Sequence, residues 1–143
     1  PYTTLFRSLR AVATSAAPVR LHPLRLPDEL PTFLDAVRPR PARAPIVLYN
    51  TTVTMYLPDR GASLRGMIAA WAAELDVPVL WLQWEPPTDR AASPGREWMA
   101  WTADYWPNDG RAAPRHRRLA WVHPHGATLR WAPGWSAFLK ESI

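Results

Sequence analysis

The chain has 143 residues and a mass of 16.2 kDa, and 48% of its residues are apolar, enough for one domain with a real core. Cysteine is absent, which excludes disulfides, thiol nucleophiles and Cys-ligated zinc, and no run of about 18 apolar residues offers a membrane span. The net charge of +5 is almost all arginine, Lys140 being the only lysine, and it reads first as a solvated surface, with anionic partners as the alternative.

In chain order, "PYTTLFRSL" (1–9) resembles translated sequencing-adapter DNA at the edge of an assembled fragment. Residues 1–9 are therefore set aside as a non-native or disordered leader, and the fold is expected within 10–143. The start at Pro1 and this leader together suggest a fragment of a longer parent. The N-terminus lacks the basic-then-apolar layout of a secretory signal, so a cytoplasmic location is expected.

"PVRLHPLRL" (18–26) reads as a short strand in which Val19 and Leu21 alternate with polar residues. "PDELPTFLDAV" (27–37) reads as a short helix: Asp28 caps it, prolines sit in its first turn, and Leu30, Phe33, Leu34 and Val37 share a face. "RPRPARAP" (38–45) is a stiff basic connector. "IVLYN" (46–50) is continuously apolar, the pattern of a strand buried on both faces.

"ASLRGMIAAWAAEL" (62–75) sets Leu64, Ile68, Trp71 and Leu75 at helical spacing, and "PVLWLQW" (78–84) is a second continuous apolar strand. Strand, helix and strand with short links predict a parallel, right-handed βαβ unit. After a loop at 85–95, "REWMAWTADYW" (96–106) brings Trp98, Trp101 and Tyr105 onto one helical face. "PNDGRAAPRHRR" (107–118) reads as a polar, basic loop. "LAWVHPHGATLRW" (119–131) reads as two antiparallel strands around His-Pro-His-Gly, and "PGWSAFLKESI" closes with a short helix. The expected order is β-α-β-α-β-α-β-β.

A class I S-adenosylmethionine-dependent methyltransferase fold ends in this way, with alternating strands and helices and then an antiparallel hairpin. "PIVLYNTTVTMYL" resembles its fourth-strand segment. The combination of "IVLYNTTVTMYL", "VLWLQWEPP" and "HPHGATLRW" resembles the C-terminal part of the uncharacterised bacterial domain-of-unknown-function family 2332, over roughly residues 18–135. The resemblance implies an α/β, Rossmann-like three-layer sandwich: a partial methyltransferase-type sheet ending in an antiparallel β-hairpin. It also implies a parent that binds S-adenosylmethionine or a similar small molecule. None of the six glycines forms a G-x-G turn between strand and helix, so half of such a ligand site is expected upstream, in the missing N-terminal part of the parent. This chain alone is expected to be inactive.

Ligands of open parallel sheets lie outside the carboxyl ends of the strands. Asn50, Thr51 and Thr52 end the first apolar strand, and Glu85 ends the second, so these four are the candidate cofactor- or substrate-binding residues. Each has a plain alternative: Asn50 and the threonines bond their own turn, and Glu85 is a solvated loop carboxylate or an arginine partner. Gln83, just before it, is expected to point to the opposite face.

His123 and His125 flank Pro124 and admit a metal reading, but two ligands make no site and the turn reading is preferred, so no metal is expected. Trp98, Trp101 and Tyr105 read as core rather than as a stacking platform. Arg111, Arg115, Arg117 and Arg118 read as a solvated loop, without the motif or interleaved aromatics of a nucleic-acid binder. Two functions stand: a methyltransferase-like fragment, or a non-catalytic Rossmann-like module whose uncovered sheet edge binds a protein partner.

Overall fold

The computed structural model describes residues 22–38, 45–110, 112–123 and 127–142. Among these residues it is a mixed α/β structure with three helices and one five-stranded sheet. In chain order the elements are α1 (Leu30–Ala36), β1 (Ile46–Thr51), a 3-10 turn (Thr54–Tyr56), α2 (Ala62–Ala73), β2 (Val79–Glu85), β3 (Met99–Trp106), β4 (Arg115–Val122), β5 (Leu129–Trp131) and α3 (Trp135–Lys140). The strands lie side by side in sequence order; β1 and β2 are parallel, and the three remaining pairings are antiparallel. Among the described residues no helix is long and apolar enough to cross a membrane.

The predicted βαβ unit is present. Ile46 pairs with Val79 and Thr51 with Trp84 across the parallel ladder, and α2 crosses between them. Leu64, Ile68 and Trp71 of α2 are buried, as their spacing requires. They pack with Leu30 and Leu34 of α1 on Val79, Trp81 and Trp106, which forms the larger core on what we term the front of the sheet. On the back, α3 lays Phe138 against Leu80, Ala103, Tyr105 and Leu119. Asn108 ties the crossover down: at φ 51° its side-chain amide donates to the carbonyls of Ala72 and Val77, both at 2.8 Å, joining the end of α2 to the lead-in of β2.

Four expectations are corrected. Residues 96–106 were expected as a helix, yet Met99–Trp106 is a strand antiparallel to β2. Alternate residues Thr102, Asp104 and Trp106 face front and Trp101, Ala103 and Tyr105 face back. Both faces are largely covered, and that hides the period of two. The polar loop expected at 107–118 instead begins β4 at Arg115. β1 is not buried on both faces: it is an edge strand, and Val47 and Tyr49 on its back are 60% and 59% exposed. The order among the described residues is α-β-α-β-β-β-β-α, so the sheet continues as an antiparallel meander where alternating helices were expected.

The short helix begins at Leu30 with Glu29 as N-cap residue, and Asp28 makes no cap bond. Residues 22–25 form no strand, and Val19, Leu21 and the 1–9 leader lie outside the described residues. The expected hairpin and terminal helix are present as β4–β5 and α3.

A bulge separates Trp101, paired with Ala120, from Thr102, paired with Arg118. Leu119 is the extra residue and is fully buried on the back. Leu119→Ala is expected to lower stability by about 2–5 kcal/mol. Val47→Ala on the uncovered side of β1 is expected to stay within about 0.5 kcal/mol. Urea titrations of the two variants check both values.

Candidate functional site

Helices α1 and α2 cover only the β1 side of the front. Beyond them, front-facing residues of β2, β3 and β4 form the floor of an open cleft of about 380 Å³. Its lining includes Gln83, Glu85, Thr102, Asp104, His116 and Arg118. The loop Pro86–Asp89 after β2 and Arg65 of α2 make its walls. The cleft therefore opens beside the carboxyl end of β2.

Glu85, the last residue of β2, is only 7% exposed. Its Oε1 accepts from Asn50 Nδ2 at 2.5 Å and the Val53 amide at 2.8 Å. Its Oε2 accepts from the Thr54 amide at 3.1 Å and from Thr54 Oγ1 at 2.8 Å. Asn50 in turn accepts from Trp81 Nε1 at 2.6 Å through its Oδ1. A buried carboxylate must find donors, and here the end of β1 and the turn after it supply all four.

Asn50 and Glu85 thus come together, as their positions at adjacent strand ends predict, but they bond each other. Thr52 sits at φ 55° and donates to the Thr51 carbonyl at 2.8 Å; Thr51 is exposed at the strand end. Glu85 is neither a solvated loop carboxylate nor an arginine partner. Gln83 shares its face, since two residues along a strand return to the same side.

The turn is held from its far side as well. Gly61, at φ 80°, lies so close to Thr54 that a Cβ there would meet Thr54 Cγ2 at 2.5 Å. Asp59 accepts from the Gly61 amide at 2.9 Å, the Ser63 amide at 2.6 Å and the Ser63 hydroxyl, which caps the start of α2. The Ser63 hydroxyl, then the backbone donors, hold the Asp59 carboxyl below its ordinary value.

The second cluster crosses three strands. Asp104 stands opposite Trp81 on β2 and opposite His116 on β4. Its Oδ1 lies 2.7 Å from His116 Nδ1. Its Oδ2 accepts from Gln83 Nε2 at 2.5 Å, Gln83 reaching diagonally across the ladder. The carboxylate can only accept, so Nδ1 donates and Nε2 is left as the titrating position. The hydrogen bond to Asp104 raises the His116 pKa above its ordinary value; partial burial works against this, and the Asp104 charge adds to it. Arg118 lies over the Trp121 ring at 4.5 Å on the same floor.

Sequence reasoning missed Asp104 and His116. Asp104 was placed in a helix and His116 in a loop, and the one signal that finds them is the front-facing alternation of "TADYW" against "RHRR". Of the paired histidines, His123 sits edge-on to Trp98 at 5.5 Å and 3.9 Å from Glu97, and His125 lies outside the described residues. No group of three metal-ligating side chains forms among the described residues. Trp98 and Trp121 pack together on the front, and Trp101 joins Trp131 and Trp135 on the back, so the aromatic set divides between the faces.

A family model described as an uncharacterized protein conserved in bacteria (DUF2332) matches residues 5–131. No curated protein and no solved structure matches the chain.

Two predictions follow from this geometry. Glu85→Gln turns an acceptor into a donor facing buried N–H groups, and is expected to cost about 2–4 kcal/mol in chemical denaturation. His116 is expected to titrate above an ordinary histidine by NMR, and Asp104→Asn to bring it down. Because the folded value is raised, the stabilisation from this pair is complete below the unfolded histidine value and is lost as pH rises through the folded one.

Proposed function

We propose, from the premise that this chain belongs to the DUF2332 family of uncharacterized proteins conserved in bacteria, that the front cleft binds a small molecule and that His116 exchanges a proton with it. One observation carries the reading: the Gln83–Asp104–His116 chain, in which both carboxylate oxygens are engaged and one imidazole nitrogen is fixed. An imidazole held this way has its tautomer and plane set before a ligand arrives, which general acid–base catalysis needs. The open cleft beside it gives room for a reacting group, and Arg118 and Arg65 line the same space.

The methyltransferase resemblance supplies a finer version, in which the parent protein binds S-adenosylmethionine or a similar nucleoside near Asn50, Thr51, Thr52 and Glu85. Its support is the parallel β1–β2 pair, whose second strand ends at Glu85 on the cleft lining. Asn50 and Glu85 spend their hydrogen bonds on one another, so they fit as the wall of such a site and not as its ligands. Calorimetry with S-adenosylmethionine tests this version: heat that falls in Thr51→Ala supports it, and no heat retires it without touching His116.

A second reading, a non-catalytic module that binds a protein partner, draws on the uncovered back of β1 at Val47 and Tyr49. Turnover separates it from the first. The chain is incubated with a pool of bacterial metabolites and conversions are followed by mass spectrometry. At least one compound is expected to be consumed, with consumption abolished in His116→Asn and lowered about 100-fold or more in Asp104→Asn. No consumption, or equal consumption by wild type and His116→Asn, overturns the acid–base assignment and favours the partner module.

A further inference from the structure

Beside the front cleft lies a second cavity of about 650 Å³, which shares Arg65, Pro86, Pro87 and Thr88 with it. Three arginines line this cavity, Arg60, Arg65 and Arg90, and no carboxylate does. Among the described residues no hydrogen bond or ion pair holds any of the three guanidinium groups. The carboxylates nearby are turned elsewhere. Asp59 is taken by Gly61 and Ser63, Asp89 accepts from the Ala91 amide at 2.9 Å, and Glu85 is closed on the turn after β1.

Arginines that face one cavity repel one another, and nearby acids would ordinarily be recruited to them. Here the acids cap backbone instead, and the cationic field is left to whatever enters. Arg60 is also held in the left-handed region at φ 53°, which disfavours a residue with a side chain, between Asp59 and the Gly61 contact on Thr54. The turn therefore gives the Arg60 guanidinium a fixed root beside the start of α2.

We propose that this second cavity is a phosphate site, and that the ligand of the joined cavities is a phosphorylated small molecule. Its phosphate or diphosphate sits among Arg60, Arg65 and Arg90, and its remaining part extends past Pro86–Thr88 into the front cleft. Guanidinium groups suit this ligand because their planar forks match phosphate oxygens in pairs. Arg65, which lines both cavities, spans the junction. The phosphate site stands on cavity and charge; its link to proton exchange rests on the His116 reading above.

The test is calorimetric titration of the intact chain with inorganic phosphate, pyrophosphate and adenosine diphosphate at two salt concentrations. All three anions are expected to bind, and each of Arg60→Gly and Arg90→Gln is expected to weaken binding about tenfold. Arg60→Gly also relieves the left-handed backbone, so lost binding in that variant is not a failure to fold. Arg25→Gln removes the same charge outside both cavities and is expected to leave binding unchanged.

Adenosine diphosphate binding more tightly than pyrophosphate supports a nucleotide whose base enters the front cleft. Equal affinity supports recognition of the phosphates alone. No binding of any anion overturns the proposal, as does a loss in Arg25→Gln equal to that in Arg60→Gly, which would mark diffuse charge attraction. Phosphate binding that persists while His116→Asn changes no turnover removes the acid–base reading and leaves the phosphate site standing.

Discussion

The Glu85 carboxylate is the constraint on which the rest of this structure depends. It ends a buried strand, and an anion there without donors would be costly by several kcal/mol. Four donors from Asn50, Val53 and Thr54 meet it, so the turn after β1 has one position relative to β2. That turn leads directly into the 3-10 turn at Thr54–Tyr56 and then to Gly61 and α2. Fixing Thr54 therefore fixes the approach of Gly61, the left-handed Arg60 and the first turn of α2 that carries Arg65. The same carboxylate sets where β2 stops and the Pro86–Asp89 wall begins. A parallel pair has no short hairpin to fix its register, and this side-chain clasp does that work at the open end.

The clasp also explains how charge is distributed. Acids in this region are spent on neutral donors: Glu85 on the turn, Asp59 on the start of α2, Asp89 on its own loop. Asp104 instead hydrogen-bonds a titratable base, His116, with Gln83 on its other oxygen. Elsewhere arginines find acids nearer the surface, among them Arg25 with Glu29, Arg38 with Glu74 and Arg115 with Glu141. Such pairs contribute little, about 0–1 kcal/mol each. The front of the molecule thus separates into the hydrogen-bonded Gln83–Asp104–His116 cluster and an arginine-lined cavity, with Arg65 lining both spaces.

Much of the first half of the fold was legible in the sequence. Leu64, Ile68 and Trp71 declare a helix because one side of it is solvated, and the flanking apolar runs declare strands because little else buries so many branched side chains in five to seven residues. Legibility failed where both faces are covered. Trp98, Trp101 and Tyr105 satisfy a helical spacing by coincidence, while the true alternation in "MAWTADYW" puts large side chains on both faces of the sheet. Val47 and Tyr49 failed in the opposite sense, being apolar on a face that no described element covers. The places of Asn50 and Glu85 at strand ends were legible, and their mutual bonding was not, because pairing across 35 residues requires the parallel register.

The misread segment is also the one that makes the Gln83–Asp104–His116 cluster. Had 96–106 been a helix returning to a parallel strand, Asp104 would have sat one layer away from Gln83, and His116 would have lain on a connecting loop. The antiparallel return of β3 instead places Asp104 two residues from Thr102, the partner of Gln83, and so on the same face, and the return of β4 places His116 directly opposite Asp104. Three residues from three adjacent strands then meet on one face with no loop among them. Ladder pairing positions side chains to within the tolerance of a hydrogen bond, which connecting loops rarely do. The bulge at Leu119 completes the arrangement. Residues two apart on a regular strand share a face; the bulge breaks that alternation, so Leu119 joins Ala120 on the back while Arg118 faces the cleft beside Trp121. The departure from an alternating parallel sheet and the appearance of a candidate catalytic face are therefore one structural event.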